Sequence, residues 1–195
     1  MADTEKQGEQ VWEDVKSWLG KELVLGSGVA GIDQVERSTI RRQLEVLELD
    51  CPIHYDEEAA KKAGYPGIVA PYHMLDTFSR PANWEPGMMT LWPSHDPNYT
   101  MRGRERQDSL NVPLPSTHGF ATDVEVEYLK PLEVGDQVIM TSSKLISVVY
   151  RETSVGEGAF LTHEQRYENQ RGELLAIARR GGYRYFPWKK KLARE

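Results

Sequence analysis

The stretch that most restricts the fold runs from Phe120 to Tyr128. Phe120, Thr122, Val124, Val126 and Tyr128 alternate with Ala121, Asp123, Glu125 and Glu127. Alternation with period two gathers apolar groups on one face of a strand, whereas a helix, with 3.6 residues per turn, would scatter them. A half-buried strand is therefore expected. Further strand patterns fall at about 137–149, 159–168 and 173–186, separated by the turn signals Gly156-Glu157-Gly158 and Asn169-Gln170-Arg171-Gly172. Strands joined by short turns pair antiparallel, so the second half reads as a meander with Met140 and Val148 in its core.

The first half reads as helical. Val11, Val15, Trp18 and Leu19 recur at helical spacing and Gly20 follows them, which predicts a short helix over about 10–19. Ser38 or Thr39 is the cap expected for a second helix, with Ile40, Leu44 and Leu47 on one face and Pro52 beyond its end. Asp56-Glu57-Glu58 precedes Ala59, Ala60 and Ala63, a helix start complementing the helix dipole, and Gly64 is its terminator. Pro71 suits the first turn of a buried helix built around Met74, Leu75 and Phe78. Helices packed on an antiparallel sheet give an α+β domain. A chain of 195 residues fits one such domain, 1–195, with an N-terminal helical extension (1–22), a loop insert (81–117) and a basic tail (187–195).

Composition narrows the function classes. The 24 basic and 30 acidic residues give a net charge of −6. Seven basic residues and only Glu195 lie from Arg179 onward, which leaves 17 basic against 29 acidic in the rest, a net of −12. An acidic body disfavours nucleic acid as a ligand; the basic end reads as a solvated tail or as a docking surface for phosphates or an acidic partner. The longest aliphatic stretch, Leu174 to Ala178, is far too short to cross a bilayer, and no apolar signal segment follows Met1. With Cys51 as the one cysteine, disulfides within the chain and multi-cysteine zinc sites are excluded. A cytoplasmic protein without membrane segments, metal or cofactor is expected.

The stretch richest in chemistry is Asp50-Cys51-Pro52-Ile53-His54-Tyr55-Asp56, followed by Gly67-Ile68-Val69-Ala70-Pro71. An imidazole after a proline turn, near carboxylates and ahead of free N–H groups at a helix start, can handle a proton while the N–H dipoles stabilise charge on a carbonyl oxygen. A lone histidine beside acids is also a common structural element. Trp84, Met88, Met89 and Trp92 in the insert supply adaptable apolar surface, either as the wall of a large pocket or as a flap on a neighbouring subunit. Arg102, Arg104 and Arg106 recur at period two and read as a solvated loop or as a clamp on phosphates. His73, His95 and His163 share no ligand spacing and read as structural or exposed; Cys51 has no base pattern that would make it a nucleophile.

Three segments in order, LELDCPIHYDEEAAKKAGYPGIVAPYHML, HGFATDVEVEYLKPLEVGDQVIMTSSKL and ENQRGELLAIARRGGYRY, resemble the MaoC-like acyl-CoA hydratases and dehydratases, most closely the N-terminal-type MaoC dehydratase domain. The resemblance covers roughly 20–80 and 116–186. It implies a hot-dog fold, an antiparallel sheet wrapped around a central helix that begins near Pro71. It also implies an enoyl-CoA hydratase or 3-hydroxyacyl-CoA dehydratase acting on an acyl-CoA, bulky or long, such as a fatty or steroid side chain. Such domains pair, so a homodimer or a heterodimer with a second MaoC-like chain follows, the acyl-CoA lying between the halves.

Carried over residue by residue, His54 falls on the family's catalytic histidine and Pro52 on its turn proline. Pro71, Tyr72, Gly67, Ile68, Trp84 and Trp92 are the substrate-binding candidates, Tyr72 standing where the family has the glycine of the oxyanion hole. The catalytic aspartate position holds Leu49 and the following asparagine position Cys51. Asp50 is the catalytic carboxylate candidate in its place, with Glu48 beside it, although one residue along a helix turns a side chain by about 100°. Two readings follow: an enzyme using His54 with Asp50 or Glu48, or the substrate-binding half of a heteromeric hydratase whose partner supplies an intact Asp/His pair. A thioesterase is the third option, because fold alone does not fix the reaction.

Overall fold

A computed structural model describes residues 8–96, 112 and 114–188, and within 23–26 the backbone only. Among these residues, β1 (Glu22–Ala30), β3 (His118–Tyr128), β5 (Ile139–Glu152), β6 (Gly156–Glu168) and β7 (Leu174–Pro187) form one antiparallel sheet in the order β1-β5-β6-β7-β3, and β2 (Val69–Ala70) pairs with β4 (Leu132–Glu133). The expected meander is β5-β6-β7. Gly156 and Gly158 are not in the turn but in β6, because β7 passes too close for a side chain: an added Cβ would lie 2.1 Å from the Phe186 carbonyl oxygen and 2.0 Å from that of Arg184. The turn is instead 153–155, held by Thr153, whose N–H and hydroxyl both donate to the Gly156 carbonyl. β1 has no clean alternation in sequence; its pairing with β5 is interrupted between Val24 and Val29, and Gly28 there has φ +84, the signature of a bulge.

The strand with the clearest alternation departs from expectation. β3 is exposed along almost its whole length rather than half-buried, with Phe120 49%, Val124 57% and Tyr128 37% exposed and only Val126 packed against the core. It is an edge strand, with no described strand on the side away from β7.

One face of the sheet carries the helices. A 3-10 turn (Glu9–Trp12) runs into α1 (Glu13–Lys16), and Trp12 and Val15 are buried with Leu145, Val148, Ala159 and Leu161. The helical stretch ends near the expected place, at Gly20 with φ +76, whose N–H donates to the Leu145 carbonyl. The N-terminal segment is thus part of the core. At the other end of the same face, a 3-10 turn (Tyr72–Met74) and α4 (Leu75–Phe78) bury Met74, Leu75 and Phe78 with Tyr167, Ala176 and Ala178, joined by Ile40 and Leu44 of α2 (Arg37–Leu47). Glu36 rather than Ser38 or Thr39 is the N-cap of α2, and Leu47 is 51% exposed because it lies in the last turn, past the packed face. The central helix is short, and its end is pinned: a Cβ on Gly31 would fall 1.7 Å from the Phe78 carbonyl oxygen. The α+β architecture, a sheet around a central helix, is the expected one.

Candidate functional site

Pro52 opens a 3-10 turn (Pro52–His54) just after α2, and Asp56 caps α3 (Glu57–Lys62) by accepting from the Ala59 N–H at 2.8 Å. Fixed between these two devices, the half-buried His54 lies with Nδ1 2.7 Å from the Val69 carbonyl oxygen. A carbonyl only accepts, so Nδ1 carries the proton and donates it, which leaves Nε2 of the neutral ring as a free base. The β2–β4 ladder explains why that carbonyl is available. Val69 faces Glu133 across the ladder, while the Val134 N–H donates to the neighbouring Ile68 carbonyl, so the polar groups of Val69 point away from β4 and toward the His54 turn.

The carboxylate side of the site is sparse. Glu48 ends α2 in the left-handed region (φ 49, ψ 37), the Leu49 N–H returns to the Leu44 carbonyl, and the Tyr55 hydroxyl donates to the Leu49 carbonyl at 3.0 Å. Glu48, Leu49 and Asp50 are all exposed, and among the described residues no carboxylate hydrogen-bonds or ion-pairs with His54. Leu49 itself is 38% exposed.

Beyond His54 the chain turns into the apolar wall. Ile68 and Pro71 are buried and Gly67 half-buried, and Tyr72 heads the short turn into α4, where the first N–H groups have no acceptor of their own. Its ring stacks on Tyr128 of β3 at 4.7 Å, a partner that alternation marked only as a strand residue. Burial, and then contact with Tyr65, push the Tyr72 hydroxyl pKa up, so it stays a neutral donor. Trp84 and Trp92, at 46% and 59% exposed, stand at the surface with Met88 and Met89. Arg102, Arg104 and Arg106 lie outside the described residues, as do residues 189–195 of the basic tail.

The remaining motif residues build structure. Asp136 is 1% exposed; it accepts from the Glu133 N–H at 3.0 Å and ion-pairs with Arg171 at 3.0 Å. Asn169 bonds Glu173 at 2.8 Å, and Lys130 and Arg171 reach the same carboxylate. Led by the Asn169 hydrogen bond, these partners hold the Glu173 carboxyl down to about 2. A carboxyl whose folded value lies below its unfolded value of about 4.3 adds stability that is complete above that value and is lost as pH falls toward the folded one. Glu173→Gln is therefore expected to lower the melting temperature near neutrality, with the gap from wild type closing between about pH 4.5 and 2. Thermal melts across that range check it; a gap of constant size would show that the ion cluster adds nothing to folding.

The family model described as "FAS1-like, dehydratase domain region" matches residues 27–178. A "Probable enoyl-CoA hydratase alpha subunit" of Thermomonospora curvata is 29% identical over 182 residues, 93% of this chain and 54% of that protein. The "3-oxo-4,17-pregnadiene-20-carboxyl-CoA hydratase alpha subunit" of Mycobacterium tuberculosis is 30% identical over 139 residues, 66% of this chain and 38% of that protein. The chain thus spans about half, or less, of the length of the curated relatives it matches. A chain in the crystal structure of the ChsH1-ChsH2 complex from Mycobacterium tuberculosis superposes with a TM-score of 0.68 at 25% identity, over 92% of this chain and 98% of that one.

Proposed function

Because the chain belongs to the FAS1-like dehydratase-region family, the MaoC-like dehydratases of hot-dog fold, we propose that it is one subunit of a heteromeric enoyl-CoA hydratase / 3-hydroxyacyl-CoA dehydratase. The observation that carries this is the site: an imidazole with a fixed tautomer and, among the described residues, no carboxylate bonded to it. Hydration adds the water oxygen to the β-carbon of the enoyl thioester and a proton to the α-carbon. A carboxylate and an imidazole divide that work, one taking the water proton while the other delivers a proton to carbon. Here Leu49 stands where the carboxylate belongs, and the exposed Asp50 and Glu48 do not reach the ring by a hydrogen bond.

In this reading a second MaoC-like chain supplies the complete pair, and this chain supplies acyl-CoA binding surface through Pro71, Tyr72 and the adjoining Gly67 and Ile68. The edge of β3 away from β7, where no described strand pairs and Phe120 and Val124 are exposed, is the surface offered to that partner. The names of the two relatives, both alpha subunits and one acting on a steroid-derived acyl-CoA, support a heteromeric assembly and a bulky acyl group. The cytoplasm is the proposed location; no described helix is long and apolar enough to cross a membrane.

The test is to assay enoyl-CoA hydration by the purified chain alone and after co-expression with a MaoC-like chain that retains both the aspartate and the histidine. Activity only in the mixture, persisting at a substantial level with His54→Ala in this chain, is the expected result. Activity of the chain alone that His54→Ala abolishes would establish an autonomous enzyme, and release of free CoA thiol from a saturated acyl-CoA would establish a thioesterase.

A further inference from the structure

Ala176 and Ala178 of β7 pack with α4, and Ala159 and Leu161 of β6 pack with Trp12 and Val15, so these residues mark the face of the sheet that carries the helices. The other face is expected to be polar. Strand register shows a different surface at one end of it. Val149 of β5, Phe160 of β6, Tyr183 of β7 and Phe120 of β3 are directly paired from strand to strand and make one apolar row across that face. Phe160 stacks on Tyr183 with ring centroids 4.5 Å apart, and Phe120 lies 5.7 Å from Tyr183 on its other side. The Tyr183 hydroxyl is turned aside and donates to the Gly156 carbonyl at 2.9 Å. The ends of the row are bare, with Phe120 49% and Val149 40% exposed. The rings are thus ordered before anything covers them, and exposed apolar surface bordered by charge marks a contact site.

The charged border is a second row. Lys144, Glu164, Arg179 and Glu125 pair across the same four strands, and their signs alternate plus, minus, plus, minus. Arg179 bridges Glu164 at 2.9 Å and Glu125 at 3.3 Å, whereas Lys144 has no ion-pair partner among the described residues.

The two rows share a symmetry. A second copy turned over about an axis along the strands, midway between β6 and β7, lays its β7 over β6 and its β3 over β5. Lys144 then meets Glu125 of the copy and Glu164 meets its Arg179, while Phe160 meets its Tyr183 and Val149 its Phe120. Backbone shape obeys the same exchange. Five residues separate Lys144 from Val149 on β5 and Phe120 from Glu125 on β3, but four separate Phe160 from Glu164 on β6 and Arg179 from Tyr183 on β7. The extra residue on each outer strand is a bulge, between Leu145 and Ser147 on β5 and between Ala121 and Val124 on β3. Both outer strands therefore bend at the same level. A face that complements itself under a two-fold axis is what an isologous interface requires. An unrelated partner would have to reproduce this pattern of charge, rings and bulges, and a second copy carries it already.

We propose that the face of the sheet away from the helices joins two copies of this chain, packed sheet to sheet about a two-fold axis between β6 and β7. Such a contact is independent of the acyl-CoA reading above. It leaves the edge of β3 to the MaoC-like mate, so two heteromers are joined and neither is displaced. Four strands and two rows outline about 19 Å by 14 Å, at the small end of specific interfaces, so the pairing is concentration-dependent.

The test is sedimentation velocity of the full chain across a range of concentrations. The wild-type chain is expected to show a doubling of mass that Val149→Lys, which sets a charge in the apolar row three strands away from β3, removes. Lys144→Glu and Glu125→Lys are each expected to weaken that doubling about tenfold or more, because each sets like charges against one another twice across the axis. Mixed in equal amounts, the two charge variants are expected to pair with each other to within about threefold of wild type, since each chain then carries the charge that the other's altered position needs. Pairing through the edge of β3 predicts no such rescue. Circular dichroism checks that each variant folds, and if Val149→Lys does not, the charge exchange carries the test. No doubling by the wild-type chain, a doubling that Val149→Lys leaves intact, or charge variants that pair no better mixed than alone, overturns the inference. None of these outcomes touches the hydratase reading, which the co-expression assay decides.

Discussion

Leu49→Asp is expected to raise enoyl-CoA hydration by the isolated chain at least about a hundredfold, the lower end of what a positioned acid–base group contributes. In the proposed reading His54 is the other half of the apparatus: the 2.7 Å contact to the Val69 carbonyl fixes the proton on Nδ1 and leaves Nε2 as the acceptor. At 38% exposure, Leu49 can be exchanged for a polar residue with little cost to the core. Loss of the enoyl thioester absorbance measures the rate. Leu49→Asn, an isostere that cannot take a proton, separates a chemical gain from a gain in solvation. A rise below about threefold for Leu49→Asp alone would place position 49 out of reach of the imidazole, and with it the division of labour between chains would need another cause.

Trp12→Ala is expected to cost about 3–5 kcal/mol in urea unfolding, the usual range for removing a buried large aromatic. Trp12 is 1% exposed and packs with Leu145, Val148, Ala159 and Leu161 on the face that α4 is too short to cover. Trp12 and Val15 thus complete the apolar cover of the sheet where α4 ends. Trp84→Ala, at a side chain 46% exposed, is the control and is expected to change stability by no more than about 0.5 kcal/mol. A loss below about 1 kcal/mol for Trp12→Ala would mean that the segment rests on the sheet without being part of the cooperative fold.

How much of this was legible in the sequence depends on the kind of signal. β5, β6 and β7 are placed within a few residues because turn signals bound them and stretches of period two survive in them despite the register shifts after Met140 and Leu145 of β5, whereas the bulge at Gly28 hides β1. The spacing of Val11, Val15, Trp18 and Leu19 located a helix but not its weight, since the deeply buried Trp12 stands outside that series. The aspartate place that the resemblance assigns to Leu49 is readable because a pattern defines it. The partner of His54 is not, because a backbone carbonyl has no residue type. Val149, Phe160, Tyr183 and Phe120 likewise read as members of four separate strands until register sets them in one row.

The eleven residues of β3 carry a consequence for the life of the chain in a cell. One side of the strand is zipped to β7, the other has no described strand beside it, and Phe120 and Val124 are exposed. Flat, sticky strand margins are what quality-control machinery captures and what like copies glue to. In the proposed heteromer, a copy made without its mate leaves that margin bare, and the standing amount of the protein is expected to follow the synthesis of the other chain as much as its own.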